Sequence, residues 1–267
     1  MLSILTQFLK GRKHRVGVDG SFSNWHNVHS GVPQGSVLGP LLFNIYTIDL
    51  FKITRNSLYG YADDVTLISI IDSPRSRHAV CESLNADLCS ISRWCDKWTM
   101  KLNTSKSKSF CFSRSHTQLP PHGDLYLDGS ILATCDELNI LGVTFDRRLT
   151  FERHIRSLVN SASRKLGIMR KAYTIFNDVS ISGKCLFCFV LAHLEYCAPV
   201  WSSAAASHIH LIDKVLNTAR FLCGGMSLCD LGHRRNVSKV CMLYKIRSNP
   251  RHPLHSCVPE QYVPTRN

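Results

Sequence analysis

The apolar residues of this chain change their period near residue 150, and that change decides the class of fold. Before it, short β-rich runs alternate with helical stretches; beyond it, apolar residues recur at the helical spacing of about 3.6. The expected class is α+β, with a mixed part over 1–150, an all-α part over 151–230 and a last helix with an irregular tail over 231–267. Val16 to Phe22 reads as a strand, an Asp19-Gly20 turn and a returning strand that continues through Trp25 and Val28. Gly31 to Ser36 is loop, because Pro33 and two glycines forbid regular structure there. Leu38, Leu41, Leu42, Ile45 and Tyr46 then fall at helical spacing. Leu58 to Ile71 holds two β-rich runs around Ala62, Asp63 and Asp64, a hairpin with acids at its tip. Val80, Leu84, Leu88, Ile91, Cys95 and Trp98 predict an amphipathic helix over 76–99, with Trp94 and Trp98 as packing residues. Phe110–Phe112, Leu125–Leu127 and Leu138–Phe145 read as short strands. Ile155, Leu158, Ala162, Leu166, Met169 and Tyr173 line a long helix, with further helices expected near 178–196, 206–223 and 236–247.

Charge narrows the class of partner. Thirty-two Lys+Arg against 19 Asp+Glu give a formal net charge of +13. A polyanion is the natural counterpart, since each phosphate contact releases condensed counterions. A basic protein without such a partner has the same composition. The excess concentrates between Arg147 and Lys171, where eight basic residues meet one acid, Glu152. On the long helix the basic face opposes the apolar stripe, which marks Arg156, Arg164 and Lys171 as candidate nucleic-acid contacts.

No apolar run approaches the roughly 18 residues that span a bilayer, and the N-terminal segment lacks the layout of a signal peptide. Twelve cysteines at irregular spacings, in a chain too long to need a disulfide framework, predict buried thiols in a reducing intracellular setting, nucleus and cytoplasm being left open. Cys185 and Cys188 have zinc-like spacing, but no second pair accompanies them and their neighbours are core-like. Buried helix thiols and no stoichiometric zinc are expected. His208 and His210 fit an exposed helix start as well as a metal site. Asn103 and Asn236 match glycosylation acceptors, which a cytosolic chain leaves unused.

Asp63 and Asp64 repel each other, an arrangement suited to neutralisation by a divalent cation. Polymerase sites of this kind hold two Mg²⁺ ions about 3.5–4 Å apart. A solvated turn explains the pair without a metal.

The surrounding strings carry more. Gly31-Val-Pro-Gln-Gly-Ser36 runs on through Leu38-Gly-Pro-Leu-Leu-Phe43, and Tyr61-Ala-Asp-Asp64 follows about 25 residues later. Together they resemble motifs B and C of the reverse transcriptases of non-LTR (LINE-type) retrotransposons, in their jockey-like and CR1-like branches. Trp98 to Lys106 resembles motif D, Leu141 to Asp146 resembles motif E, and Leu194 to Ser202 and Met242 to Ile246 are similar to strings further downstream in that family. The resemblance implies a right-hand polymerase palm, with a small antiparallel sheet and helices, followed by a helical thumb. It implies RNA-directed DNA synthesis with Mg²⁺ (Mn²⁺ possible in its place) on an RNA template, a DNA primer and deoxynucleotides, with no membrane. Asp63 would be a metal ligand and Asp64 its less essential neighbour. Gln34, Gly35, Ser36 and Tyr61 would border the template and incoming nucleotide. Gly35 lets backbone approach a base pair, and Gln34 can hydrogen-bond a base or sugar edge. Lys106 would protonate or steady the departing pyrophosphate; it reads equally as an ordinary surface lysine. Leu141 to Phe145 would support the fold.

One part of the family pattern is missing. Motif A, a strand with the first metal-binding aspartate, should precede motif B, yet Asp19 is the sole acid before Gly31 and sits in a turn. The expectation is therefore an incomplete palm, N-terminally truncated, that does not polymerise as an isolated chain. The alternative function is a non-catalytic nucleic-acid-binding remnant of a mobile element, and a third, a small zinc-stabilised interaction domain.

Overall fold

The computed structural model describes residues 2–113, 123–176, 186–222 and 230–258. The chain forms two compact units, residues 1–109 with 121–133, and residues 110–120 with 134–267.

The first unit opens with α1 (Leu2–Leu9) and a two-stranded antiparallel ribbon: β1 (Lys13–His14), β2 (Gly17–Val18), β3 (Ser21–Phe22) and β4 (His26–Asn27). Asp19 and Gly20 both have positive φ (47° and 81°), the pattern of the type I′ turn that the Asp-Gly pair predicts. After the 31–36 loop, α2 (Gly39–Thr47) follows as its spacing predicts, with Pro40 in its first turn. Its apolar stripe is not covered, however: Leu41 and Ile45 remain 56% and 58% exposed. Periodicity fixes which residues share a face and says nothing about what that face meets. The start of α2 is held by the Gly39 N–H donating to Ser36, and its end through Tyr46, whose ring packs edge-on against Trp94 and Trp98.

The predicted acid-tipped hairpin is β5 (Ser57–Tyr61) paired with β6 (Asp64–Ile68). The predicted amphipathic helix is α3 (Arg77–Lys97). Leu50, Ile91, Trp94 and Cys95 form the core of this unit, with Leu58, Trp98, Met100 and Leu102 packed against them. The Trp94 indole N–H donates to Asp49 at 3.0 Å, so both tryptophans pack as expected. Phe110–Phe112 is not a strand; the strand falls just before it, at Lys108–Ser109. Aromatic β-propensity is a preference for a pleated, half-buried surface, and these residues join no ladder among those described.

In the second unit β7 (Glu137–Ile140) and β8 (Val143–Asp146) form a hairpin closed by Leu141 and Gly142, both with positive φ. α4 (Glu152–Phe176) buries Ile155, Leu158, Ala162 and Leu166 against α5 (Ala206–Leu222) and the segment from Val190 to Trp201. α6 (Leu231–Ser248) begins five residues before its apolar pattern does, because Asp230 caps it by accepting the His233 N–H. The tail described to residue 258 holds turns and one short 3₁₀ turn at His255–Cys257.

Asp146 joins the hairpin to α4. Its carboxylate accepts the backbone N–H groups of Arg148, Thr150 and Phe151 and the Thr150 hydroxyl at 2.7–3.0 Å. Burial pushes its pKa up, and these donors together hold it below the usual carboxylate value.

The expectation of mostly buried thiols is overturned: among the described cysteines only Cys95 is buried. Cys188 is exposed, and Cys185 lies outside the described residues. Leu186–Leu191 is wound as a π-helix, so the inward face is not the one an α period predicts. Val190 and Leu191 turn inward, while Phe189 stays 60% exposed. Among the described residues no helix is long and apolar enough to cross a membrane.

Candidate functional site

The hairpin that carries Asp63 and Asp64 is short and exposed, so what fixes it lies at its base. Tyr61 opposes Asp64 across the ladder, and Ala62 has φ 53° while Asp63 does not share the left-handed region. That is the pattern of a type II′ turn, which matches the twist of the flanking strands. Both aspartates and Tyr61 are exposed at the tip. At the other end, Leu58 reaches the core. Nearer the tip, Gly60 makes room for the Phe51 ring, which a Cβ would meet at 2.5 Å.

The strongest anchor is a residue that sequence reading did not single out. Asp87 on α3 is 2% exposed and accepts the backbone N–H groups of Arg55 and Asn56, both at 2.9 Å, and the Asn56 side-chain amide at 2.8 Å. Ser57, the next residue, begins β5. Burial raises the Asp87 pKa, but these donors and the Arg55 charge outweigh it and hold the carboxyl below its ordinary value. An acid four residues before Ile91 in an apolar stripe was the available signal: a buried charge inside a helix needs partners.

The 31–36 loop is organised from within. Ser36 donates from its hydroxyl to Pro33 O at 2.7 Å and accepts the Gly39 N–H at 3.0 Å. Gly35 has φ 76° and nothing within 4 Å of where a Cβ would stand, so its backbone is open to an approaching group. Gln34 is exposed beside it. Lys106 stands on a separate turn built by Asn103, whose side chain accepts the Lys106 N–H at 3.1 Å and the Ser105 hydroxyl at 2.8 Å. Asn103 thus has a structural role. The hairpin tip, the loop and the Lys106 turn all belong to the first unit. Among the described residues no hydrogen bond links one to another.

Two adjacent carboxylates are hard oxygen donors suited to Mg²⁺ or Mn²⁺. By themselves they fall short of a two-ion site, and no group of three or more His, Cys, Asp or Glu that could hold a metal exists among the described residues.

On α4, Arg153, Arg156, Ser157, Asn160, Ser163 and Arg164 line an open recess. At 100° per residue they lie opposite the buried stripe of Ile155 to Leu166, as does exposed Lys171. Arg153 pairs with Glu137 at 2.6 Å and Arg156 with Glu152 at 2.8 Å.

The acid-tipped hairpin and the glycine-bearing loop thus stand in one mixed unit, and a helical unit with a basic face on α4 follows in sequence. Residues 2–145 match the family described as reverse transcriptase (RNA-dependent DNA polymerase), and the chain belongs to that family. It is 31% identical over 230 residues to a probable RNA-directed DNA polymerase from transposon X-element of Drosophila melanogaster, covering 83% of this chain and 25% of that protein. It is 31% identical over 221 residues to the RNA-directed DNA polymerase from mobile element jockey of Drosophila funebris, covering 79% and 24%. A probable RNA-directed DNA polymerase from transposon BS of Drosophila melanogaster is 29% identical over 226 residues. The chain therefore spans about a quarter of the length of these relatives, and the similarity runs past residue 145 into the helical unit. No solved structure matches it.

Proposed function

We propose that this chain supplies the motif B to motif E part of the palm, and the thumb, of a mobile-element RNA-directed DNA polymerase. The observation that carries this reading is the exposed Asp63-Asp64 tip on a hairpin pinned at its base by Asp87, in a chain of the reverse transcriptase family. In that role Asp63 and Asp64 ligate a divalent cation, whose charge would favour phosphoryl transfer once a further carboxylate from outside the described residues completes the site. Gln34 and the open backbone at Gly35 border the template and incoming deoxynucleotide, with Tyr61 beside them. Ser36 shapes that loop through its two internal hydrogen bonds. Lys106, exposed and free to reach, meets the departing pyrophosphate. Arg156, Arg164 and Lys171 contact the phosphates of the template and DNA primer. The domain limits that suit this role are 1–150 for the partial palm, 151–230 for the thumb and 231–267 for the last helix and tail.

Primer extension tests the reading. The chain alone should not extend a primer on an RNA template with Mg²⁺ or Mn²⁺, because two carboxylates cannot align both ions with the primer hydroxyl. Joined to the preceding part of a mobile-element relative, it should extend, and Asp63→Asn should then abolish extension while nucleic-acid binding persists. Binding without extension in the joined protein would instead favour a non-catalytic, nucleic-acid-binding remnant.

A further inference from the structure

The register of the N-terminal ribbon shifts along its length. Lys13 opposes Asn27 and His14 opposes His26, whereas Gly17 opposes Phe22 and Val18 opposes Ser21. Arg15 and Val16 therefore face three residues, Ser23, Asn24 and Trp25, and the returning strand carries one extra residue, a β-bulge. In an unbroken strand residues 22 and 25 project to opposite faces. The bulge cancels that alternation and brings Phe22 and Trp25 to the side of Arg15. The Arg15 guanidinium carbon lies 3.9 Å from the Phe22 ring centroid and 4.7 Å from that of Trp25. Gly17 makes room, because a Cβ there would meet the Phe22 ring at 2.8 Å.

Both rings remain open to solvent, Phe22 at 61% and Trp25 at 59% exposure. The charge around them is one-sided: between residues 10 and 29 stand Lys10, Arg12, Lys13 and Arg15 against Asp19. None of these four cations pairs with a carboxylate among the described residues. Arg12 donates to Leu9 O at 2.9 Å and to the carbonyls of Ser30 and Gly31, which ties the base of the ribbon to the start of the 31–36 loop.

We propose that this ribbon face is a docking platform for an unpaired nucleic-acid strand, with bases stacking on Phe22 and Trp25 and phosphates held by Lys13 and Arg15. The proposal rests on the polymerase reading above. Uncompensated positive charge selects a polyanion, and exposed ring faces select one whose bases are free of a duplex stack.

Fluorescence anisotropy with the full chain tests it, using labelled oligouridine RNA, oligothymidine DNA and a duplex. Phe22→Ala with Trp25→Ala should weaken one or both single strands about tenfold while leaving duplex binding unchanged, and Trp25→Phe should retain most of the affinity. An unchanged single-strand affinity, or an equal loss with duplex, overturns the proposal. Ultraviolet crosslinking of the unaltered chain gives an answer independent of folding in the variants. Adducts on the 13–27 peptide support the platform, and adducts confined to other peptides overturn it. If the unaltered chain binds none of the three nucleic acids, the polymerase reading fails with it; if it binds them and only the ribbon is silent, this proposal fails alone.

Discussion

Asp87 accepts the backbone N–H of Asn56 at 2.9 Å, and this bond sets where the strand leading to Asp63 begins. A carboxylate buried on one helix thus positions two exposed carboxylates at the far end of a hairpin. Removing it leaves the backbone N–H groups of Arg55 and Asn56 without an acceptor and the Asn56 side-chain amide with the Ser83 hydroxyl alone. At about 1–3 kcal/mol for each buried donor left unmet, and with partial relaxation toward water, Asp87→Ala should destabilise the first unit by about 3 kcal/mol. Urea unfolding would measure this. A midpoint equal to that of the unaltered chain would show that the anchor is dispensable.

The same carboxylate, together with Asp146, predicts an acid response. Both have folded pKa values below 3.8, so their stabilisation is complete above that unfolded value and is lost as pH falls through the lowered folded ones. A second response lies nearer neutrality. Burial lowers the pKa of His154 and His193, aided by His193 acting on the first and Lys165 on the second. Their Nε2 atoms are buried with no hydrogen-bond partner among the described residues. Stability of the helical unit should therefore be full above the unfolded value of 6.5 and decline as pH falls from there toward the folded values. Thermal midpoints between neutral and mildly acidic pH should fall in the unaltered chain and stay flatter in His154→Gln. Parallel curves would refute the assignment.

Cation binding should depend on the hairpin tip. Mn²⁺ titration followed by electron paramagnetic resonance should detect weak binding in the unaltered chain, and Asp63→Asn with Asp64→Asn should remove it without moving the melting temperature. Both residues are exposed and pinned from elsewhere, so neither contributes much to the fold. Retained binding would place the cation at another site.

Nucleic-acid binding by the chain should be steeply salt-dependent. Replacing Arg156, Arg164 and Lys171 with Gln should flatten the log affinity against log salt plot by roughly 1 unit of slope for every phosphate no longer neutralised. Arg156 already pairs with Glu152, so its share should be the smaller. An unaltered slope would remove α4 from the interface.

Thiol chemistry should follow exposure. Cys188 and Cys241 should react with a maleimide in the native chain. Cys95, whose thiol is pushed up by burial and then by Asp128 and Asp96, should react only on unfolding. A chelator should leave the melting temperature unchanged, since no stoichiometric zinc is expected. Near-equimolar zinc in the purified protein would contradict this.

Whatever depends on neighbours along the chain was legible in the residues alone. The Asp19-Gly20 turn, the helical period of α3 and α4, the acid-tipped hairpin and the loop around Gly35 are set by local sterics and side-chain alternation, and the ordered strings around them were enough to reveal the family; the turn at Leu141 and Gly142, which splits the strand run of Leu138 to Phe145, was not among them. What those elements meet emerged only from the folded chain. Asp87 looked like one more polar residue on a helix until Arg55 and Asn56 were brought against it. Asp146 closed a motif whose role in holding the turn that leads into α4 appears only once the chain turns at Leu149. Cys188 is exposed because its segment is wound as a π-helix, Cys89 and Cys241 because they lie on open faces of α3 and α6, and the bulge that unites Phe22, Trp25 and Arg15 is a property of register between strands. Period and propensity are carried by each segment separately; burial, register and charge pairing arise only between segments, so no single stretch of sequence encodes them.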